Sequence, residues 1–189
     1  MLRFIIFIIM LSSNVSAQTP DEVKEFVKST TDNILITKSM SEHDREKELI
    51  SIFTQVVDAK WMARFAIGSH WGSLDEEQQK IYIESYKNYL LRTYLPKFEE
   101  HSESNYKIDG IDDRGDNLFI ANMTVFENGG QTIKLSYKIK CLDKDCYIRD
   151  LIAEEVSMVL SQRSDFASII NSKGFDGLIS SLNNKSTIK

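Results

Sequence analysis

Histidine and cysteine are scarce in this chain: three of the one and two of the other in 189 residues. His43, His70 and His101 are scattered without the spacing that metal-binding motifs use, so no metal site is expected. Basic residues gather into nothing larger than pairs. Twenty-three Lys and Arg stand against 28 Asp and Glu, and the net charge of −5 argues against nucleic-acid binding, which needs a basic patch. A glycine-rich phosphate loop, a nucleophile elbow and a paired-histidine motif are all missing. Ser104-Asn105-Tyr106-Lys107 fits a Ser-x-x-Lys pattern, but the motifs that accompany it in serine enzymes are absent. With no reaction centre legible, the chain is expected to bind rather than to catalyse.

Long apolar runs are missing too, with one exception. Arg3 followed by Phe4 to Leu11 and then Val15-Ser16-Ala17 has the charged start, short apolar core and small-residue end of a secretory leader. The run is too short to span a bilayer. Residues 1–17 are therefore expected to be a cleaved signal peptide, and 18–185 a single domain. Without Arg3 the count is 22 basic against 28 acidic residues, a charge of −6. Export changes how the two cysteines read. Cys141 and Cys146 bracket Leu142-Asp143-Lys144-Asp145, a turn-like stretch, and in an oxidising compartment such a pair is expected to form a disulfide.

What remains is an orderly alternation of periods. Thr19-Pro20 opens a helix with Val23, Phe26, Val27, Thr30 and Ile34 on one stripe. Ser41 is placed to cap a second helix bearing Leu49, Ile52, Phe53, Val56 and Val57. A third, Ala59 to Ile67, stops at Gly68. Ser73-Leu74-Asp75-Glu76 reads as a capping box for a long helix to about Glu100, with Pro96 expected to bend or break its end. Its Tyr82, Tyr86, Tyr89 and Tyr94 read first as core packing with the hydroxyls at an edge. After His101 the period falls to two. Tyr106, Ile108 and Gly110 alternate with polar neighbours, as do Phe119, Ala121, Met123 and Val125, then Ile133, Leu135, Tyr137 and Ile139, with a turn signal at Asn128-Gly129-Gly130. Tyr147 to Val156 makes a fourth strand, on which either Ile148 and Ile152 or Leu151 and Ala153 could face inward. A helical rhythm resumes at Ser157 with Val159, Phe166 and Ile170; Ser164 is a candidate cap, Gly174 a stop, and Leu178, Ile179 and Leu182 a last short helix. The expected fold is α+β: a four-stranded antiparallel curved sheet, N-terminal helices, one long central helix, and C-terminal helices enclosing an apolar cavity.

These residues carry a resemblance. Phe65-Ala66-Ile67-Gly68 with Trp71, then Leu91-Arg92-Thr93-Tyr94, resembles the central segment of the MlaC (toluene-tolerance) family. Arg149-Asp150-Leu151-Ile152-Ala153-Glu154-Glu155-Val156-Ser157-Met158, with Phe166 and Lys173-Gly174-Phe175-Asp176-Gly177-Leu178, resembles its C-terminal signature, though Glu155 stands where the family usually has glycine and His70 where a basic or aromatic residue is usual. The resemblance implies a monomeric periplasmic carrier with no cofactor beyond its bound phospholipid. Such a carrier shuttles glycerophospholipid between an outer-membrane lipoprotein complex and an inner-membrane MCE-domain ABC transporter complex, in support of outer-membrane lipid asymmetry. Under that reading the lipid-contacting residues are Tyr86, Tyr89, Leu90 and Tyr94 on the long helix and Phe119, Ala121, Met123, Val125, Ile133, Leu135, Tyr137 and Ile139 on the middle strands. Ile152, Val156, Val159, Phe166 and Ile170 join them from the last strand and helix. Gly174 and Gly177 bracket a candidate hinge for release. The alternatives are an exported interaction module whose apolar residues fill an ordinary core, and an exported enzyme on a similar scaffold.

Overall fold

The computed structural model describes residues 18–100, 105–127 and 130–184. The expected leader, His101, Ser104 and the Asn128-Gly129 part of the expected turn lie outside them. Four helices come first: α1 (Pro20–Ile36), α2 (Glu42–Val56), α3 (Ala59–Ile67) and α4 (Glu76–Glu100). Strands β1 (Asn105–Asp113), β2 (Leu118–Phe126), β3 (Thr132–Leu142), β4 (Asp145–Ala153) and β5 (Val156–Ser157) form one antiparallel meander in sequence order. Helix α5 (Met158–Asn183) closes the chain.

Each helix starts where a side chain satisfies its free N–H groups. Thr19 and Glu22 form a reciprocal capping box on α1. Ser41 accepts from the Asp44 amide on α2, and Asp58 from the Trp61 amide on α3. Gly68 ends α3 at φ 63°, a conformation that favours glycine. The start of α4 differs from expectation. A 3-10 stretch, Gly68–Ser73, absorbs Ser73, whose hydroxyl donates to the His70 carbonyl; the box is formed instead by Asp75 and Gln78, each side chain bonded to the other's amide. Helix α4 runs through Pro96 to Glu100 instead of breaking there. Ser157, not Ser164, caps α5, accepting from the Leu160 amide; the helix then runs through Ser164 and is interrupted at Gly174, at φ 71°.

The sheet departs from simple alternation at two bulges. Between β1 and β2, Ile108 faces Met123 and Gly110 faces Asn122, leaving Asp109 as the extra residue. Ile111 therefore replaces Gly110 on the apolar face. Between β3 and β4, Ile139 faces Ile148 while Lys138 faces Asp150, so Arg149 is extra. Parity flips there, and Ile148 shares the inner face with Leu151 and Ala153. The two alternatives for β4 are each half of the answer, and Ile152 goes to the outer face.

The expected fourth strand is two. Glu154 and Glu155, at φ 45° and 67°, make a two-residue hairpin turn between Ala153 and Val156. Positive φ at both central positions is the geometry of a type I′ turn, which suits glycine far better than glutamate. The backbone keeps this shape even though Glu155 stands there. Cys141 and Cys146 face each other across β3 and β4 and are joined in a disulfide.

Apolar side chains segregate into two cores. One lies between α1 and the sheet, with Val23 and Val27 against Phe119, Ala121, Met123, Ile139 and Cys141. The other is helical, with Phe53, Met62, Ala66, Tyr82, Tyr86, Leu90, Val159, Phe166, Leu178 and Leu182 drawn from α2 to α5.

Two stability measurements follow. Glu155→Gly should stabilise the protein by about 1 kcal/mol in denaturant unfolding, since a non-glycine residue held at positive φ costs roughly that much; a loss of stability would show the turn to be unstrained. Reduction of the Cys141–Cys146 bond should remove about 2 kcal/mol, the contribution expected for so short a closed ring.

Candidate functional site

The two cores meet without merging, and a cavity of about 290 Å³ occupies the seam. Its floor is the inner face of the sheet: Met123 and Val125 on β2, Ile133, Leu135 and Tyr137 on β3, Leu151 and Ala153 on β4. Register brings these together, since Met123 faces Leu135, Val125 faces Ile133, and Leu135 faces Ala153. The opposite wall is α1, through Thr31, Ile34 and Leu35; Tyr94 of α4 and Met158 of α5 close one side. Among the described residues that line it, Lys97 is the one charged group, and it is exposed.

The cavity does not end at α1. A narrow apolar cleft of about 50 Å³ shares Thr31, Ile34 and Tyr137 with it and continues between α1 and α2 past Ile52 and Phe53 to Leu49. Leu49 in turn lines an open groove of about 720 Å³ between α2 and α4. The three spaces lie in series, with the narrowest in the middle.

Two polar contacts set the walls. Tyr106 of β1, at the cavity's edge, donates its hydroxyl proton to Asp32 of α1 at 2.6 Å, and Asp32 also receives Lys28 at 2.8 Å. The two donors hold the Asp32 carboxyl below the usual carboxylate range, with Lys28 the larger influence. Burial, seconded by Asp32, pushes the Tyr106 hydroxyl up to about 12. The hydroxyl therefore stays protonated and able to donate at any physiological pH. On the other wall Tyr86 donates to the Gln162 amide oxygen at 2.5 Å, and the Gln162 amide nitrogen reaches Tyr94 at 3.4 Å. Gln162 is buried, so this pair satisfies a side chain that would otherwise be stranded in the helical core. Tyr94 is thereby anchored where its ring faces the cavity.

Of the residues expected at a ligand, Tyr94, Met123, Val125, Ile133, Leu135 and Tyr137 line the cavity. Phe119, Ala121 and Ile139 share their sheet face but lie buried under Val23 and Val27. Tyr86, Leu90, Val159 and Phe166 sit inside the helical core, with Tyr89 and Ile170 packed on its margin. Ile152 belongs to the outer face. Val156 shares the face of its partner Ala153, but the Glu154-Glu155 turn carries it out of β4 onto the edge strand β5, where it is 55% exposed and not among the lining residues. Periodicity did not single out Leu35, Lys97, Tyr106 and Met158 as lining residues. The alternation that begins at Tyr106 and the widening of the α1 stripe at Ile34-Leu35 are the signals that point to two of them.

The match to a protein-family model described as MlaC protein extends over residues 18–184. Among solved structures, the fold is similar to that of a phospholipid-binding protein from Ralstonia solanacearum in complex with a phospholipid. The two share 21% identity at a TM-score of 0.73, over 84% of this chain and 93% of the other.

The Tyr106–Asp32 bond makes a prediction about α1. Tyr106→Phe should lower global stability by about 1 kcal/mol, the net worth of one hydrogen bond. Hydrogen exchange should accelerate in the last turns of α1 and not in α4; uniform exchange would show that the bond does not hold the helix. Because the carboxyl of Asp32 is depressed in the folded state, the bond's contribution is present above the ordinary Asp range and is lost only as pH falls through the lowered folded value.

Proposed function

The chain belongs to the MlaC family, and from that premise we propose that it is a carrier that hides the acyl chains of a glycerophospholipid in the seam between its two cores. The observation that carries this reading is the lining of the cavity, apolar on every wall, with Lys97 the one charge among its described residues and that one exposed. Burial of acyl chains releases about 0.8 kcal/mol per methylene, so a protein that moves a lipid through water needs such a lining far more than it needs polar contacts. Lys97 is placed to meet an anionic headgroup that remains outside. The phospholipid bound to the structural neighbour supports the same reading.

At about 290 Å³ the cavity falls just below the ~300–1,000 Å³ typical of pockets for drug-sized ligands. Two full acyl chains need more room, and the series of spaces beneath α1 and α2 indicates where it comes from. Moving α1 away from the sheet opens the narrow cleft and joins the cavity to the groove. The end of the last helix is held in place: Leu178 and Leu182 pack into the helical core, and Arg92 donates to the Leu182 carbonyl. We therefore assign the opening movement to α1 rather than to the hinge expected around Gly174.

The wider role proposed is transport across the periplasm after cleavage of the leader. The protein would receive lipid from, and deliver it to, an outer-membrane lipoprotein complex and an inner-membrane MCE-domain ABC transporter complex, working as a monomer in the maintenance of outer-membrane asymmetry. No helix among the described residues is long and apolar enough to cross a membrane, in keeping with a carrier that docks instead of inserting.

Two single substitutions test the carriage. Leu135→Glu sets a charge on the cavity floor, where an unpaired carboxylate costs several kcal/mol, and should abolish co-purification of phospholipid in native mass spectrometry. Leu142→Glu, at the exposed far end of β3, should leave the lipid in place. Equal retention by both variants would exclude the seam as the binding site, and an absence of lipid from the unaltered protein would favour an ordinary interaction module.

A further inference from the structure

Away from the cavity, α3 and its following turn carry a ladder of cations and rings. The Trp61 and Phe65 rings stack at 5.1 Å between centroids. The Arg149 guanidinium lies 4.9 Å over Trp61, Arg163 lies 4.9 Å over Phe65, and Arg64 lies 5.2 Å over Trp71. Arg149 is also tied to Asp58 at 2.8 Å, and Arg163 donates to the Phe65 carbonyl at 3.0 Å. Gly68 makes room for this: a Cβ there would approach the Arg163 guanidinium to 3.2 Å. Asp58, the three rings, Arg64, Gly68 and Arg163 wall a surface cleft of about 550 Å³, to which Lys60 adds a further charge.

Three cations line the cleft, Lys60, Arg64 and Arg163, and its one anion, Asp58, is already engaged by Arg149. Among the described residues none of the three has a carboxylate within ion-pair distance. This stands out on a chain whose net charge is −5. Stacking on rings fixes each guanidinium plane and leaves N–H edges for an outside acceptor, the arrangement that favours paired recognition of carboxylates. The ring faces between the cations offer apolar area to the rest of the same ligand.

We propose that this cleft is a docking site for an acidic segment of a partner protein, one that alternates carboxylates with apolar side chains. A concave cleft on a negatively charged protein is poorly matched to a flat anionic bilayer, whereas a peptide segment can enter it. The inference deepens the carrier reading by giving the carrier a place to be held that is separate from its cargo. The two fail separately, because lipid retention reports on the cavity and the cleft has its own reporter.

That reporter is built in: Trp61 and Trp71 are the chain's two tryptophans, and both line the cleft. A synthetic peptide of alternating Glu and Leu, titrated into the full protein, should change tryptophan emission saturably. The affinity should fall with rising salt, and should drop about tenfold or more in an Arg64→Gln/Arg163→Gln double variant whose circular dichroism and lipid content are unchanged. Inorganic phosphate and phosphatidylglycerol vesicles serve as the competing probes. No saturable change with the peptide, equal affinity in the double variant, or saturation by vesicles but not by peptide would each overturn the proposal.

Discussion

One buried carboxylate joins the halves of this molecule. Asp150 sits on β4, 1% exposed, opposite Lys138, whose ammonium lies at 3.4 Å. Its other contacts belong to the start of α5: Ser157 donates its hydroxyl proton at 2.6 Å and Val159 its amide at 3.1 Å. A charge so deeply buried is tolerable only with several donors around it. Those donors can converge only if the chain turns sharply between β4 and α5, which is what the Glu154-Glu155 turn does. The same arrangement satisfies N–H groups at a helix start, where negative charge is also favoured by the helix dipole. Together with the Arg149–Asp58 ion pair between β4 and the start of α3, it pins the sheet to the helical bundle, while their apolar surfaces remain two cores with a seam between them.

The seam is where function becomes possible. A single continuous core would be packed to crystalline density and would have no room for a guest. Here α1 packs tightly on the sheet only in its first half: Phe119, Ala121 and Ile139 are sealed by Val23 and Val27, while Leu135, Ile133 and Val125 face the cavity that separates them from Thr31, Ile34 and Leu35. Tyr94 and Tyr106 line it with rings whose hydroxyls are engaged in hydrogen bonds, which suits a surface that must be apolar within and wet at its rim. The proposed movement of α1 would be a change of helix packing over strands that stay hydrogen-bonded, the easier of the two to reverse.

Much of this was legible in the residues. The clean alternation of β2 and β3, the caps of α1 and α2, the glycine stop at Gly68 and the Cys141–Cys146 pairing all follow local rules, and the structure obeys them. What was not legible is decided by long-range pairing. A bulge leaves no mark in one strand alone, so alternation leaves the face of β4 open, and the pairing with β3, in which Arg149 is the extra residue, decides it. The exposure of Val156 depends on two glutamates accepting positive φ, against their intrinsic preference. Which apolar residues line the cavity and which fill a core is a matter of where helices stop, and Phe119 and Leu135 look alike in sequence.

The central claim is that lipid chains occupy the seam and neither core. Paramagnetic broadening tests it directly: protein loaded with a phosphatidylcholine carrying a nitroxide on its acyl chain, with methyl resonances read by NMR. The account predicts strong broadening at Met123, Leu135 and Met158, and little at Leu178 and Leu182 in the helical core. Comparable broadening of both groups, or none at the seam, would contradict it.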